Sequence, residues 1–230
     1  DAAQQAIRHA LRERARGVPL AYLVGEREFH GLRLKVTPAV LVPRPETEEL
    51  VDWALEILAG PLRDAAQPTV ADLGTGSGAI ALAIKQRCPR ARVLAIDASE
   101  PALAVARDNA ARLALDIEFR TGDWLAGLDD RRFDLLLSNP PYIDGDDPHL
   151  AALHAEPKQA LTPGADGMVD LRTIIRQAPA HLTADGWLLL EHGHDQGPAV
   201  ARALQGAGFV AVSLRRDLAG LPRCSGGRRP

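Results

Sequence analysis

The chain has 230 residues, of which 46% are hydrophobic and 25% are charged, and its formal net charge at pH 7 is -3. This composition fits one globular domain with a small additional segment, and the negative charge provides no overall attraction to nucleic acid. No apolar run approaches the roughly 18 residues of a membrane-spanning helix, and no signal peptide is visible. Cys88 and Cys224 are too few and too distant for a disulfide scaffold or a zinc cluster, so we expect a cytoplasmic protein.

The segment before residue 46 predicts a helix, a hairpin and a loop. Residues 2–16 have a helical pattern with Ile7 and Leu11 on the apolar face. Alternating apolar and polar residues between positions 26 and 36 predict a two-stranded hairpin. Residues 37–45 contain three prolines and predict an ordered loop.

From residue 46 onward, the pattern alternates between helices and strands. Glu46 to Leu58 predicts an amphipathic helix, and the later elements predict βαβ units, and therefore an α/β fold with a largely parallel, twisted sheet. We expect the glycine-rich end, residues 226–230, to be loose or to form an edge. The predicted strands span residues 69–73, 92–97, 117–121, 133–138, 186–191 and 209–214, and the predicted helices span residues 79–88, 100–113, 167–183 and 197–205.

A glycine-rich loop follows the first strand of the α/β region. The strand 69–73 contains Asp72 and Leu73 and leads into Gly74-Thr75-Gly76-Ser77-Gly78, after which a helix begins. Glycines at alternate positions allow a tight turn and a close approach of a ligand to the backbone. The next strand ends at Asp97, where an acid is suited to hold the two hydroxyls of a ribose. The pattern predicts a site for a nucleoside-containing cofactor.

Three details favour S-adenosylmethionine over NAD. A carboxylate at Asp72 would repel a pyrophosphate and attract the ammonium of an amino acid. The spacing is Gly-x-Gly-x-Gly rather than the Gly-x-Gly-x-x-Gly of dinucleotide sites. The Asn139-Pro140-Pro141-Tyr142 turn also follows the second strand after the one that ends at Asp97, where an amino-methyltransferase requires it. The alternative for Asp72 and Asp97 is a structural one, the capping of the adjoining loop and helix.

Asp123 and Trp124 follow the third predicted strand, beside the glycine-rich loop. Asp123 is suited to accept a hydrogen bond from the amino group of adenine, and Trp124 to pack against the ring. The alternative for Trp124 is core packing. We therefore include both residues in the predicted cofactor site.

The Asn139-Pro140-Pro141-Tyr142 turn directly follows the apolar strand 133–138. Two consecutive prolines end the strand in a rigid turn, at the sheet edge where open α/β sheets bind ligands. The turn offers the Asn139 amide, the Pro140 carbonyl and the Tyr142 ring. Two acceptors suit the hydrogens of an NH2 group and a ring suits its plane, so the turn predicts a planar nitrogen nucleophile.

His192 and His194 suggest a metal site, because a His-x-His pair places both rings on one face of a strand. No third and fourth ligand with suitable spacing is visible in the sequence, so we predict no metal.

These motifs together resemble the PrmC/HemK family, protein-(glutamine-N5) methyltransferases of peptide chain release factors. The resemblance is carried by residues 72–78 and 139–142, and more specifically by the stretches 19–29 and 43–48, with Glu156-Pro157 in support. It covers nearly the whole chain. It implies a Rossmann-like class I methyltransferase with a seven-stranded, mostly parallel sheet.

The family resemblance also implies roles and partners. S-adenosylmethionine is expected at residues 72–76, Asp97, Trp124 and Asn139, with S-adenosylhomocysteine as product. The turn 139–142 is expected to hold the glutamine of the Gly-Gly-Gln motif of class I release factors, whose methylation tunes translation termination. We expect a monomer without membrane or direct nucleic-acid partners.

The resemblance further implies three segments. Residues 1–25 are expected to be what remains of an N-terminal helical domain that recognises the substrate. Residues 26–43 are expected to form the hairpin and linker, and residues 44–230 the catalytic domain.

Three other functions fit parts of the pattern. A nucleic-acid amino-methyltransferase could stack a flipped base on Tyr142, although the chain has no separate basic recognition domain. An NAD-dependent oxidoreductase is disfavoured by the glycine spacing. A relative of this fold that binds a partner without catalysis is the third.

Overall fold

The computed structural model describes residues 2–164 and 166–230. Asp1, the first residue of the predicted N-terminal segment, lies outside the described residues. Helices α1 (Ala2–Ala15) and α2 (Leu20–Val24) are followed by the antiparallel hairpin of β1 (Glu26–Phe29) and β2 (Leu32–Lys35). The predicted first helix and hairpin are therefore confirmed.

The apolar face of α1 is open to solvent. Ile7 is 60% exposed and Leu11 is 64% exposed, and Leu20 and Val24 of α2 are exposed to a similar extent. The α1 helix therefore contributes little to the core, whereas Phe29 and Leu34 of the hairpin are buried in it.

The α/β region contains seven strands and five helices. The strands are β3 (Thr69–Leu73), β4 (Arg92–Asp97), β5 (Glu118–Thr121), β6 (Phe133–Ser138), β7 (Leu182–Glu191), β8 (Val210–Arg216) and β9 (Pro222–Arg228), and the helices are α3 (Glu48–Ala59), α4 (Ala79–Arg87), α5 (Glu100–Leu113), α6 (Val169–His181) and α7 (Gly197–Gly206). The strands form one sheet in the order β5-β4-β3-β6-β7-β9-β8. Neighbouring pairs among β3 to β7 are parallel, and β9 is antiparallel to both β7 and β8.

The predicted boundaries of two elements, α3 and β7, differ from the structure. The predicted helix 46–58 begins at Glu48, because Pro45–Thr47 first forms a single 3-10 turn. The predicted helix 167–183 ends at His181, and β7 begins at once at Leu182 rather than at residue 186. Tertiary packing against the neighbouring strands extends β7 at its N-terminal end, while its last residue is Glu191, as predicted.

The prediction of a loose or edge-forming C-terminus is wrong. Strand β9 lies between β7 and β8, and Gly226 is buried there. A Cβ added to Gly226 would lie 2.4 Å from the Leu189 side chain and 3.0 Å from the ring of Trp53. The glycines therefore allow close packing inside the sheet instead of forming a flexible end.

The core lies on both faces of the sheet. One apolar cluster joins α3 and α4 to the hairpin and the sheet, and a second joins α6 and α7 to the opposite face. Within the described residues, no helix is both long and apolar enough to cross a bilayer.

Candidate active site

The two predicted turns begin at adjacent strand ends. Strand β3 pairs in parallel with β6, and the register places Leu73 opposite Ser138. The Ser138 hydroxyl also donates to the Leu73 carbonyl oxygen at 2.6 Å. Gly74 and Asn139, the first residues of the two turns, therefore leave the sheet side by side at its carboxyl edge.

A cavity of about 320 Å3 lies above this edge. It is contacted by both turns, by the end of β4 and by the loop after β5. Two other loops, around residues 39–41 and 157–160, complete its walls. The predicted site residues on its surface are Gly74, Gly76, Asp97, Asp123, Trp124, Asn139 and Pro141. The cavity is within the range of small-molecule sites.

Asp72 lies beneath this cavity and does not line it. The carboxylate is fully buried, and its Oδ2 accepts hydrogen bonds from the Thr75 hydroxyl at 2.6 Å and the Ala81 N–H at 3.2 Å. Its Oδ1 has no hydrogen-bond partner within the described part of the chain. Burial raises the pKa of Asp72 to about 7, and the two hydrogen bonds oppose that shift. Oδ2 of Asp72 thus caps the adjoining loop and helix, as the structural alternative predicted, whereas Oδ1 lacks a hydrogen-bond partner among the described residues.

Asp97 ties the glycine-rich loop to the next helix. Its Oδ2 accepts from the Gly76 N–H at 2.8 Å, and its Oδ1 accepts from the Ser99 N–H at 2.8 Å. Burial raises the pKa of this carboxyl, against the effect of these hydrogen bonds. Gly76 has a φ of 56°, and an added Cβ would meet nothing within 4 Å. The loop therefore presents its backbone to the cavity.

The Trp124 ring closes another side of the cavity. Trp124 adopts a positive φ of 51°, and its ring would lie 3.2 Å from a Cβ on Gly74. Asp170 at the start of α6 lines the same side and was not predicted from the sequence. Burial raises the pKa of Asp170, with Asp123 adding to the shift and a hydrogen bond from Trp124 opposing it.

Asn139 lies where this cavity of about 320 Å3 meets a smaller one of about 80 Å3. The smaller cavity is also lined by Pro140 and Tyr142, so it joins the rest of the predicted turn to Asn139. Leu41, Asn139 and Ala160 line both cavities. The Asn139 Nδ2 donates to the Thr47 hydroxyl oxygen at 3.1 Å, and its Oδ1 makes no hydrogen bond within the described residues. Asn139 Oδ1 is therefore available to accept a hydrogen bond from a ligand between the two cavities.

The Tyr142 hydroxyl is held by a carboxylate that the sequence did not predict to belong to the site. The Tyr142 hydroxyl donates to Glu191 Oε1 at 3.1 Å, and Gln196 donates to the Tyr142 carbonyl oxygen at 2.9 Å. Glu191 is 1% exposed. Thr47 and Glu191 belong to elements far from the turn in sequence, and no local spacing signals their contact with it.

A strap formed by residues 36–44 crosses the cavities and is anchored from both sides. Glu156 accepts from the Val42 N–H at 3.0 Å and pairs with Arg44 at 2.5 Å. The Tyr22 hydroxyl donates to the Val40 carbonyl oxygen at 2.5 Å. The Glu156 side chain is only 2% exposed. These contacts give a structural role to the stretches 19–29 and 43–48.

The histidine pair takes no part in this site. The His192 ring is buried and bonds to the Gly193 carbonyl oxygen and the Ser225 hydroxyl, both at 2.8 Å. Among residues 2–164 and 166–230, no group of three or more His, Cys, Asp or Glu side chains is arranged to hold a metal ion.

Comparison with known proteins assigns the chain to a family. A family model for the methyltransferase small domain matches residues 47–205. The chain is 49% identical to the release factor glutamine methyltransferase of Xylella fastidiosa strain Temecula1, over all of this chain and 83% of that protein. It is 50% identical to the protein of the same name from Burkholderia pseudomallei, with the same coverage of both chains. The chain belongs to the release factor glutamine methyltransferase family.

A solved structure supports the fold of this family member. The T. thermophilus 16S rRNA N2 G1207 methyltransferase, solved with AdoMet and guanosine, has a TM-score of 0.65 and 18% identity, covering 89% of this chain and 50% of that one. At this identity the similarity concerns the fold alone. The predicted family, the Rossmann-like class I methyltransferase fold and the methyltransferase class are confirmed.

The contribution of Glu156 to the stability of the strap can be tested by mutation. We expect Glu156→Gln to lower the free energy of unfolding by about 1–3 kcal/mol, because it leaves Arg44 without its buried anionic partner. Thermal unfolding measures the change. Glu118→Gln is the matched control, since it removes an exposed ion pair with Arg131 and should cost about 0.5 kcal/mol or less. Equal losses in both variants would contradict the anchoring role.

Proposed function

We propose that this protein transfers a methyl group from S-adenosylmethionine to the side-chain amide nitrogen of the glutamine in the Gly-Gly-Gln motif of class I peptide chain release factors, and thereby modulates translation termination. The relatives carry the name release factor glutamine methyltransferase. The observation that carries the proposal is the Asn139 acceptor, which lies beside the glycine-rich loop and between the two cavities.

The larger cavity has the features that S-adenosylmethionine requires. Asp72 lies beneath this cavity, and its unsatisfied Oδ1 is an acceptor that, when ionised, is suited to the ammonium of the methionine part. Leu73, Gly74, Thr75 and Gly76 would form the loop around it. Asp97 would accept from the ribose hydroxyls. The residues suited to the adenine end are Asp123 and Trp124.

The smaller cavity would receive the glutamine side chain. Asn139 Oδ1 and the Pro140 carbonyl oxygen accept no hydrogen bonds from the described residues. They could each take one hydrogen of the substrate NH2 group, and the Tyr142 ring would lie against the amide plane. Pro141 would keep the turn rigid, because its ring restricts the backbone.

Orientation is the main task of these residues in the reaction. When bound, S-adenosylmethionine supplies a methyl group on a sulfonium, which is already an activated electrophile. The amide nitrogen is a poor nucleophile, because its lone pair is delocalised into the carbonyl group. Acceptors at Asn139 and Pro140 would hold its two hydrogens and favour the positive charge that develops during attack. No strong general base is needed, since the proton can leave after methyl transfer.

The N-terminal segment is proposed as part of the docking surface for the release factor. Its helix α1 presents an unburied apolar face at Ile7 and Leu11. Basic residues Arg12 and Arg14 lie in its last turn. In this proposal residues 1–25 contact the substrate, residues 26–43 connect, and residues 44–230 catalyse as a monomer in the cytoplasm.

Mass spectrometry tests the proposed reaction directly. The protein is incubated with S-adenosylmethionine and a release factor that bears Gly-Gly-Gln, and the factor is then digested and sequenced. We expect one added methyl on the motif glutamine, and none when that glutamine is replaced by asparagine. Methyl transfer to ribosomal RNA or DNA in parallel reactions, without transfer to the release factor, would overturn the proposal.

A further inference from the structure

The smaller cavity, where the substrate glutamine is proposed to bind, has one charged side chain among the described residues that line it. This is Arg44, which lies on the wall with Asn139 and Tyr142 and is 33% exposed. A cation on a mostly apolar wall needs a polar partner in the protein or in a ligand. The apolar lining residues are Leu41, Pro140, Ile143, Leu153, Ala160 and Leu161.

Glu156 fixes the position of the Arg44 guanidinium. Its Oε1 accepts from Arg44 Nη2 at 2.5 Å, and its Oε2 accepts from the Val42 N–H at 3.0 Å. Both oxygens are therefore held in place, on a side chain that is only 2% exposed. A guanidinium has five N–H groups, and Glu156 is the one hydrogen-bond partner that the described residues give to this one. Arg44 thus retains N–H donors for a ligand in the cavity.

A donor is what the proposed arrangement of the substrate still lacks. The two acceptors of the turn 139–142 would take the hydrogens of the glutamine NH2 group, which leaves its carbonyl oxygen without a partner. The other two polar side chains on the wall direct their donors at protein groups. The Tyr142 hydroxyl donates to Glu191. The Asn139 Nδ2 donates to Thr47. Arg44 is therefore the side-chain donor available for the carbonyl oxygen.

We propose that Arg44 donates to the side-chain carbonyl oxygen of the substrate glutamine, and that its pairing with Glu156 makes the cavity select an amide over a carboxylate. This inference rests on the proposed function. Arg44 contacts the substrate in this arrangement, whereas Glu156 acts through Arg44 as a positioning residue.

The selectivity follows from the net charge of the pair. A guanidinium without an anionic partner favours a carboxylate, because it forms short, charge-assisted hydrogen bonds with both oxygens. Glutamate has nearly the shape of glutamine and would then compete for the cavity. Glu156 balances the charge of Arg44, so the remaining N–H groups are offered without a net positive charge. A substrate carboxylate would also face the acceptors Asn139 Oδ1 and the Pro140 carbonyl oxygen, which repel it.

The same balance of charge suits the transfer step. The amide nitrogen bonds to the methyl carbon as the bond from that carbon to sulfur breaks, and the nitrogen bears positive charge until its proton leaves to solvent. An unbalanced cation on the cavity wall would oppose this charge. A hydrogen bond to the carbonyl oxygen does not make the nitrogen more nucleophilic, so the contribution of Arg44 is to bind and orient the amide.

Two forms of a release factor test the selectivity. One bears Gly-Gly-Gln and the other Gly-Gly-Glu, and calorimetry measures the affinity of each for the full chain saturated with S-adenosylhomocysteine. We expect the wild type to bind the glutamine form about tenfold or more tightly. In Glu156→Gln the guanidinium is unbalanced, so the preference should shift toward the glutamate form by about tenfold or more. A loss of stability alone would not change this ratio.

A double variant and a distant ion pair complete the experiment. Arg44→Met combined with Glu156→Gln leaves no buried charge unpaired, so it carries the test if Glu156→Gln alone does not fold. Without the donor, KM for the glutamine form should rise about tenfold, while the affinity for S-adenosylhomocysteine stays within about twofold of wild type. Glu118→Gln is the matched control, since it removes the carboxylate of an exposed pair with Arg131 outside both cavities and should leave the preference unchanged.

The outcomes separate this inference from the proposed function. A wild-type protein that does not methylate the motif glutamine would overturn the function itself. A wild type that does, together with a Glu156→Gln preference within about twofold of it, would overturn the selective role of the ion pair alone. A KM of the double variant within about twofold of wild type would contradict the contact between Arg44 and the substrate.

Discussion

Replacing Asn139 by alanine is expected to lower kcat for glutamine methylation on the order of 10³-fold. The substitution removes the Oδ1 acceptor that lies between the two cavities, and with it one of the two groups proposed to orient the substrate NH2. Loss of a preorganised hydrogen-bonding group at the reacting centre has effects of about this size. Single-turnover kinetics with saturating S-adenosylmethionine measures the change.

Cofactor binding separates this effect from general damage to the site. We expect Asn139→Ala to bind S-adenosylhomocysteine within about twofold of wild type, because most of the proposed cofactor contacts lie on other loops. Asn139→Asp retains an oxygen of the same geometry and should lose less activity than the alanine variant. Turnover that is unchanged in Asn139→Ala would rule out the proposed role of this residue.

Cofactor affinity is expected to rise with pH until about pH 7, and Asp72→Asn is expected to remove this dependence. Burial raises the pKa of Asp72 to about 7, so the carboxyl is largely protonated below that pH. A bound ammonium favours the ionised form, which means that binding at lower pH must release a proton. Affinity should therefore increase about tenfold per pH unit below pH 7 and then level off.

Calorimetric titration with S-adenosylhomocysteine between about pH 5.5 and about pH 8.5, roughly 1.5 units on either side of this pKa, measures the effect. We expect Asp72→Asn to bind about 10- to 100-fold more weakly at the upper end of this range, because the charge opposite the ammonium is lost. An affinity that does not change with pH in the wild type would argue against Asp72 as the ammonium partner.

The same carboxyl makes a prediction about the stability of the ligand-free protein. The pKa of Asp72 is raised above its ordinary value near 3.8, so the folded state binds more protons than the unfolded state between the two values. The contribution of Asp72 to the free energy of unfolding is thus complete below about pH 4 and is lost as the pH rises to about 7. Asp72→Asn should flatten this part of the stability profile in chemical denaturation.

Local patterns predicted the parts of the fold that depend on neighbouring residues. The hairpin around His30 and the bounds of β3, β4 and β6 follow from apolar runs and turn residues that are adjacent in the chain. Ser99 caps helix α5, since its hydroxyl accepts from the Ala102 N–H at 3.3 Å. Such signals operate over a few residues, so one sequence is sufficient to find them.

The contacts that Thr47 and Glu191 make with the turn 139–142 were not predicted. Thr47 was assigned to a helix, and Glu191 to the end of a strand. Thr47 meets Asn139 because a 3-10 turn precedes α3, and Glu191 meets Tyr142 because β7 pairs with β6. The position of β9 between β7 and β8 was not predicted for the same reason, since strand order depends on pairing between segments that are distant in sequence.

The sequence by itself determined the glycine-rich loop, the diproline turn and their positions after two strands, because glycine and proline restrict or free the backbone locally. Only the tertiary structure decided which polar groups support those turns. Burial of Asp72 and Glu191, and the hydrogen bonds available to them, depend on how separate elements pack together. The hydrogen-bond partners of a buried carboxylate or hydroxyl are often remote in sequence, so the orientation of the side chain is determined only when the chain is packed into its fold.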